Sequence, residues 1–318
     1  MSAPTSPAPT VSLLVPLYHC LPLTQAMFAS LDATWPAAVR RELIFIDDGS
    51  TDGTRDWLAS LRRPDVRILL NERNLGYAAC NNRGAALAQG RFLLLLNNDL
   101  VLLPGWLEPL LAAHRSLGSR AGVVGNVQAT VAGGTVDHAG IQVNLKGKPE
   151  HVRTLPPGQQ LGWPRIRSAE AVTGACLLIE RTLWQDLHGF DEGYLNGCED
   201  IDLCFRVTET GRRIVVALRS RVLHHVSSSP GRKRRDESNT HRLTRRWRAH
   251  LVQLAARRWC ADFLEREWTH PRSPEQAGAA AAALLYRLHL RRTAPALAVD
   301  GMAAAIDAEL ARWIRLGL

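Results

Sequence analysis

Between Val11 and about residue 127 the chain alternates short apolar runs with longer segments of mixed character. The runs VSLLVPL, ELIFI, VRILL, RFLLLL and GVVGNV are Leu-rich or β-branched and end in turn residues. Runs apolar on both faces predict buried strands of a parallel sheet. Between them, residues 21–35, 54–61, 77–88 and 104–117 are each long enough for a crossover helix, with Pro104 as a first-turn proline. This β-α-β-α order predicts an α/β fold built on an open, doubly wound, mostly parallel sheet. Ligands of such sheets bind outside the carboxyl ends of the strands. From about 128 to 170 Gly, Pro and polar residues break the pattern, and irregular hairpins and loops are expected. Regularity returns in AVTGACLLIE, RIVVAL and RVLHHV, with a helix over 201–210. Beyond Ser227 the chain turns basic and then helical. From Asn239 onward Leu243, Trp247, Leu251 and Leu254 recur at spacings of three and four. No internal repeat is evident.

A length of 318 residues with 46% hydrophobic content suits one large α/β domain and a smaller appendage. The N-terminus, MSAPTSPAPT, is polar and Pro-rich, without a cationic start or an apolar h-region. It reads as a frayed lead-in over 1–10 and not as a signal peptide. No run of about 18 apolar residues predicts a bilayer span. Six cysteines lie scattered without CxxC pairs, which predicts reduced thiols and a cytoplasmic protein.

Charge changes the picture at one place. Of the net +9, a charge of +8 falls between Arg232 and Arg258, where ten basic residues face two acids. A general polyanion binder would spread its charge more widely. On a helix from Asn239, Arg242, Arg245, Arg246 and Arg248 lie mostly off the apolar stripe, so a solvated face accounts for them. The functional alternative is peripheral contact with an anionic membrane, or with the phosphates of a lipid-linked acceptor, led by Arg232, Lys233, Arg234 and Arg235. A lid or a homodimer contact is the remaining use.

Three polar clusters sit at predicted strand ends and a fourth opens a helix. Asp47-Asp48-Gly49-Ser50 follows the second strand, where a carboxylate can accept from a nucleobase N–H or a ribose hydroxyl; a β-to-α turn with helix capping explains it equally well. Asn97-Asn98-Asp99 ends a fully apolar strand. A carboxylate there has to meet water, a donor or a cation, and a divalent ion bridging Asp99 to a diphosphate fits. Glu199-Asp200-Ile201-Asp202 opens a helix. Three carboxylates in four positions exceed what capping needs, and one could act as general base. His224-His225 ends the last strand, and a histidine sharing a sheet with Asp99 is a candidate metal ligand or diphosphate contact.

Taken in order, PLYHC, IDDGSTDGT, NLGYAACNNRGAALAQG, LLLLNNDLVLLPGWL, TGACLLIERTLWQDLHGFDEGYL, CEDIDLCFR and VLHH resemble the family-2 glycosyltransferases of GT-A fold, especially the rhamnosyltransferase-like branch. The resemblance covers about 11–228 and leaves a basic, helical extension at 229–318. It implies an inverting, metal-dependent hexosyltransferase of polysaccharide biosynthesis, using Mg²⁺ or Mn²⁺ and a nucleotide-sugar donor. It further implies that Pro16, Leu17 and Tyr18 line the base pocket and that Asp48 contacts the uracil or thymine and its ribose. Asn74, Gly76 and Asn81 would fall in the donor-binding segment, with Asn97 and Asn98 beside it. Asp99 would hold the metal with His224, Asp200 would be the base, and Glu199 its supporting carboxylate. One departure is plain: Asn97-Asn98 stands where many members carry an aspartate, leaving Asp99 the sole carboxylate of its triplet and a metal bound only together with the donor. The acceptor would be a glycan or lipid-linked hydroxyl, with dTDP-rhamnose or a UDP-sugar as donor. A nucleotidyltransferase would need a Gly-rich basic loop after the first strand, which PLYHCLPLTQ is not. A nucleic-acid-binding protein would leave the carboxylates unexplained.

Overall fold

The first apolar run forms β1 (Val11–Leu17), and the alternation continues as α1 (Leu21–Thr34), β2 (Arg41–Asp47), α2 (Thr54–Ser60), β3 (Val66–Leu70), α3 (Tyr77–Leu87) and β4 (Phe92–Leu96). A computed structural model describes residues 10–158, 163–225, 236–267 and 274–318. Most of the lead-in and the basic run Arg232, Lys233, Arg234 and Arg235 lie outside the described residues. After β4 come β5 (Leu100–Leu102), α4 (Leu107–Leu117), β6 (Ala121–Thr130), β7 (Val136–His138), β8 (Ile141–Val143), β9 (Pro149–His151) and β10 (Ile166–Ser168). The order closes with β11 (Cys176–Glu180), α5 (Arg181–Asp186), α6 (Glu199–Glu209), β12 (Arg213–His224), α7 (Asp236–Arg246), α8 (Arg248–Glu267), α9 (Pro274–Arg287) and α10 (Ala296–Arg315).

The large sheet runs β10-β12-β6-β11-β4-β1-β2-β3. Strands β3, β2, β1 and β4 pair in parallel, as do β6 and β12, while β11 runs antiparallel between β4 and β6. Six strands therefore share one direction, as the apolar runs predict. Leu13, Val15, Leu43, Phe45, Leu94 and Leu96 bury one face under Met27, Leu31, Leu58, Leu107 and Leu110 of α1, α2 and α4. Leu14 and Ile46 occupy the other face, where α3 comes so close that a Cβ on Gly84 would meet Ile46 Cδ1 at 2.8 Å.

Three local expectations change. Pro104 does not open a helix: Leu103 to Trp106 forms a turn closed by the Trp106 amide on the Leu103 oxygen, and α4 begins at Leu107. The run VRILL is an edge strand with Ile68 and Leu70 exposed, not a strand buried on both faces. The short β5 pairs with β12 and follows directly on Asp99.

Two compact units result, Met1–Ile141 with His151–Arg235, and Gln142–Glu150 with Asp236–Leu318. In the second, Ala256, Cys260, Ala283, Ala294 and Ala298 form a core of small side chains that lets the helices approach closely, and Trp259, Phe263 and Tyr286 pack around it. The stripe read from Asn239 is buried at Leu243, Trp247 and Leu251, although the helix breaks at Trp247 between α7 and α8. All six cysteines are free thiols. No described helix is long and apolar enough to cross a membrane.

Candidate functional site

The parallel strands deliver their carboxyl ends to one edge of the sheet, and polar residues collect there. Asp47, fully buried, accepts from the Ser50 amide at 3.2 Å and pairs with Arg55 at 2.7 Å, which fixes the turn into α2. Asp48 faces the other way. Its Oδ1 accepts from Asn71 Nδ2 (2.8 Å) and the Leu75 amide (2.9 Å), and its Oδ2 from the Gly76 amide (2.9 Å). Asp48 thus holds the segment between β3 and α3, with Gly76 at φ +91°, a region that favours glycine. Asn74 is exposed on that segment. Asn81 is buried inside α3 with its amide nitrogen on the Tyr77 carbonyl oxygen at 2.9 Å. Pro16 is half-buried near the end of β1, and Tyr18 is 42% exposed just beyond it. His19 and Cys20 follow at φ +57° and +60°, two consecutive non-glycine residues in a left-handed conformation. Such strain is kept only where the surroundings enforce it, commonly at functional sites. Here the enforcement comes from the loop after β2: the His19 amide donates to Ser50 Oγ (2.8 Å) and the Leu21 amide to Asp52 (3.0 Å).

Asp99 lies beyond the end of β4, and His224 ends β12. Their Oδ1 and Nε2 are 3.2 Å apart, both side chains are buried, and neither atom has a hydrogen-bond partner. His225 contributes its backbone amide to the Asp99 carbonyl oxygen instead (3.0 Å), so His224 is the ring that meets the carboxylate. A buried carboxylate oxygen and a ring nitrogen in contact but unbonded suit two neighbouring ligands of one cation. Cis ligands of an octahedral ion with bonds of about 2.1 Å stand about 3 Å apart. Among the described residues no third His, Cys, Asp or Glu completes such a group. Asn97 anchors the segment through its amide to Ala175 O (2.9 Å), and Asn98 reaches Thr24 Oγ1 on α1 (2.9 Å).

The acidic turn of α6 sorts its three carboxylates. Asp202 is fully buried and pairs with Arg206 at 2.8 Å, whose remaining nitrogens bind the carbonyl oxygens of Leu187 and Gly189. That is a staple for the turn after α5. Glu199 is buried and accepts from the Gly197 amide at 2.6 Å. Asp200 is only half-buried, and its Oδ2 accepts from the Gly174 amide at 2.8 Å. Gly174 also accepts from the Tyr77 hydroxyl at 2.8 Å. Burial first, then the nearby charges of Glu199 and Asp200, push the Tyr77 phenol well above its ordinary value. Residues 173–175 therefore bridge the site, with Gly174 on Asp200 and Ala175 on Asn97.

Some polar residues at this edge carry no sequence signal of their own. His138 on β7 is buried with both ring nitrogens unpartnered, and lies edge-on to His151 with centroids 4.8 Å apart. Burial first, then the charges of His151 and His224, hold its imidazole well below the ordinary histidine range, in the neutral form. Gln128, its cross-strand partner on β6, donates to Asn126 Oδ1 at 3.3 Å, while Asn126 Nδ2 is unsatisfied. These residues lie where the apolar pattern fades, and only strand register brings them toward His224. Tyr77 could have been found from its place opening α3 beside Gly76.

The profile of "Glycosyl transferase family 2" matches residues 12–169. The N-acetylglucosaminyl-diphospho-decaprenol L-rhamnosyltransferase of Mycobacterium tuberculosis is 30% identical over 211 residues, which is 60% of this chain and 68% of that protein. The O-antigen biosynthesis protein RfbC of Myxococcus xanthus is 30% identical over 232 residues, 71% of this chain; the chain spans only 18% of that protein's length. Among solved structures, GalNAc-T7 with UDP, GalNAc and Mn²⁺ superposes with a TM-score of 0.63 at 19% identity, over 80% of this chain and 51% of that one. At that identity the likeness establishes the fold.

Proposed function

The chain belongs to glycosyltransferase family 2, and on that premise we propose that it is an inverting, divalent-metal-dependent transferase acting on a nucleotide-sugar donor. The observation that carries this reading is the Asp99–His224 pair, two buried ligand atoms 3.2 Å apart without hydrogen bonds, joined through residues 173–175 to the half-buried carboxylate of Asp200. A solved glycosyltransferase of similar fold is crystallised with UDP and Mn²⁺, which supports Mn²⁺ or Mg²⁺ as the ion. When bound, such an ion offsets the negative charge that grows on a departing nucleoside diphosphate.

This chain's own residues do the rest. Asp48 fixes the loop from Asn71 to Gly76, and that loop with Pro16 and Tyr18 would form the wall for base and ribose. Asp200 takes the proton from the acceptor hydroxyl as its oxygen attacks the anomeric carbon. Its contact with Gly174 sets the carboxylate's direction. A single displacement with one base inverts the anomeric centre. Glu199 braces the turn that carries Asp200.

The donor we favour is dTDP-rhamnose, ahead of UDP-sugars, because a relative at 30% identity is named for L-rhamnose transfer. That relative and the O-antigen protein support a glycan or lipid-linked acceptor in polysaccharide biosynthesis. Such an enzyme would work in the cytoplasm, peripheral to the inner membrane face. The test is release of nucleoside diphosphate from dTDP-rhamnose, UDP-glucose and UDP-N-acetylglucosamine, with MnCl2 and with EDTA. One donor should be turned over, and only with metal. Undiminished turnover in EDTA would remove the metal from the reading, and no release from any sugar nucleotide would remove the donor class.

A further inference from the structure

The second unit carries a basic pocket of about 400 Å³ where α9 ends and the chain turns toward α10, lined by Arg257, Tyr286, Arg287, His289, Arg291 and Arg292. Three other arginines of this unit meet carboxylates: Arg248 pairs with Asp307, Arg258 with Asp262, and Arg312 with Glu237 and Glu309. Among the described residues, none of the four arginines around the pocket has a carboxylate partner, and no acid lines it. The helix macrodipole explains a cation or two at the end of α9, since it amounts to about half a charge. It does not explain four, nor Arg257, which arrives from α8.

The turn is wound tightly onto the helix. Backbone amides of Leu288, His289, Leu290 and Arg291 return to carbonyl oxygens of Leu284, Tyr286, Leu285 and Leu285 at 2.9–3.1 Å, with His289 at φ +61°. Burial pushes up the Cys260 thiol, one helical turn from Arg257, and the charges of Arg287 and Arg291 act against that rise. The same short stretch, LYRLHLRR, exposes apolar side chains between its cations: Leu288 is 57% and Leu290 74% exposed. A pocket for a soluble phosphate compound needs the arginines and gains nothing from exposed leucines. A surface that meets a bilayer uses both, with cations at the headgroups and leucines at the acyl boundary.

We propose that this corner is a membrane-docking site, with an anionic phospholipid's phosphate in the arginine pocket and Leu288 and Leu290 entering the interface. It goes beyond the transferase reading and does not depend on it. It also differs from contact through Arg232, Lys233, Arg234 and Arg235, because it supplies a formed pocket with its own apolar anchor.

The experiment uses the full chain with sucrose-loaded vesicles of phosphatidylcholine, with and without phosphatidylglycerol, at low and high salt. All arms are run in a background with Arg232, Lys233, Arg234 and Arg235 changed to Gln, so that the basic run contributes nothing. Sedimentation with anionic vesicles should persist there and fall about 20- to 30-fold in Arg291→Gln/Arg292→Gln, from about fivefold per arginine near the surface. Leu290→Trp should add a tryptophan emission that shifts to the blue with anionic vesicles only. These side chains are exposed, and unchanged thermal melting would confirm that the variants fold. If vesicles leave the emission of the Leu290→Trp variant unmoved, the proposal is overturned, as it is by sedimentation indifferent to the arginine changes. A third overturning result is arginine-dependent binding of inorganic diphosphate, or of single-stranded DNA, without vesicle binding. None of these measurements reads sugar transfer, so failure here leaves the transferase proposal standing.

Discussion

Asp200 and Asp202 lie two positions apart on one helical turn, and burial gives them different work. Asp202 is wholly enclosed and answered by Arg206, so removing its charge leaves a mostly enclosed guanidinium without its counter-ion. Breaking a buried pair costs about 3–5 kcal/mol. Asp202→Asn should therefore lower thermal stability and reduce activity only in proportion to unfolded protein. Asp200→Asn should melt near wild type, bind donor normally by calorimetry, and turn over on the order of 10²- to 10⁴-fold more slowly. If the two variants exchanged phenotypes, Asp202 would be the base. A second contrast concerns the cation. Titrating Mn²⁺ by electron paramagnetic resonance with nucleoside diphosphate present should show binding lost in Asp99→Ala and weakened in His224→Gln, while His225→Gln binds as wild type. Equal binding in all three would place the ion elsewhere. At this scale the strand-end motifs and the acidic helix start pointed to Asp48, Asp99, His224 and Asp200 as candidates. His138, Asn126 and Gln128 were not, because their approach depends on the register of β6, β7 and β12 and not on any local signature.

The helix α4 packs on the sheet through Leu107, Leu110 and Leu111, yet it also buries His114 with Nε2 unsatisfied and its ring edge-on to Phe92 at 4.9 Å. Burial lowers the imidazole's pKa, more than the Glu180 carboxylate 3.7 Å away raises it. The unfolded chain then takes up the proton more readily than the folded one, so stability is full above the ordinary value of 6.5 and declines as pH falls below it. Melting temperature measured from about pH 7.5 to 5 should drop, and His114→Gln should flatten the lower part of that curve. An unchanged slope would mean that other groups govern the acid limb. Elements of this kind were the most legible feature of the chain, since buried strands and crossover helices declare themselves by apolar runs of the right length. Strand direction was legible for the runs apolar on both faces, which predicted the parallel strands, but not for every strand. The run CLLIE of β11 is as apolar as its neighbours and gave no warning that it enters antiparallel between β4 and β6. The edge position of β3 was equally hidden, because its apolar run matches those of the central strands, and only its lack of a further neighbour exposes Ile68 and Leu70.

Over the whole molecule, contacts divide the chain in a way that sequence order conceals. The hairpin residues Gln142–Glu150 belong with the C-terminal helices although a long stretch of chain separates them. Lys148 pairs with Glu309 and lies over the Trp313 ring, 5.2 Å from its centroid. Arg312 binds the same Glu309 at 2.9 Å and reaches Glu237 on α7 at 3.3 Å, and Trp313 Nε1 donates to Glu237 at 3.0 Å. Gly147 makes this possible: it sits at φ +71°, and a Cβ there would overlap Ile306 of α10. Hydrogen bonds from Arg312 and then Lys148 hold the Glu309 carboxyl down at about 2. Its contribution is therefore present above the ordinary value of 4.5 and is lost as pH falls toward 2. Hydrogen exchange with mass analysis reads the arrangement directly. At neutral pH the amides of 144–148 should exchange together with α10 and more slowly than a free hairpin. In Glu309→Gln they should exchange faster, and in Gly147→Val faster still, because φ strain and overlap with Ile306 act together; overpacking alone costs about 1–3 kcal/mol. Protection of β1, β2 and β4 should stay at the wild-type level in both variants, since those strands belong to the other unit. If the hairpin lost protection in step with the central sheet, the division of the chain into these two units would be wrong.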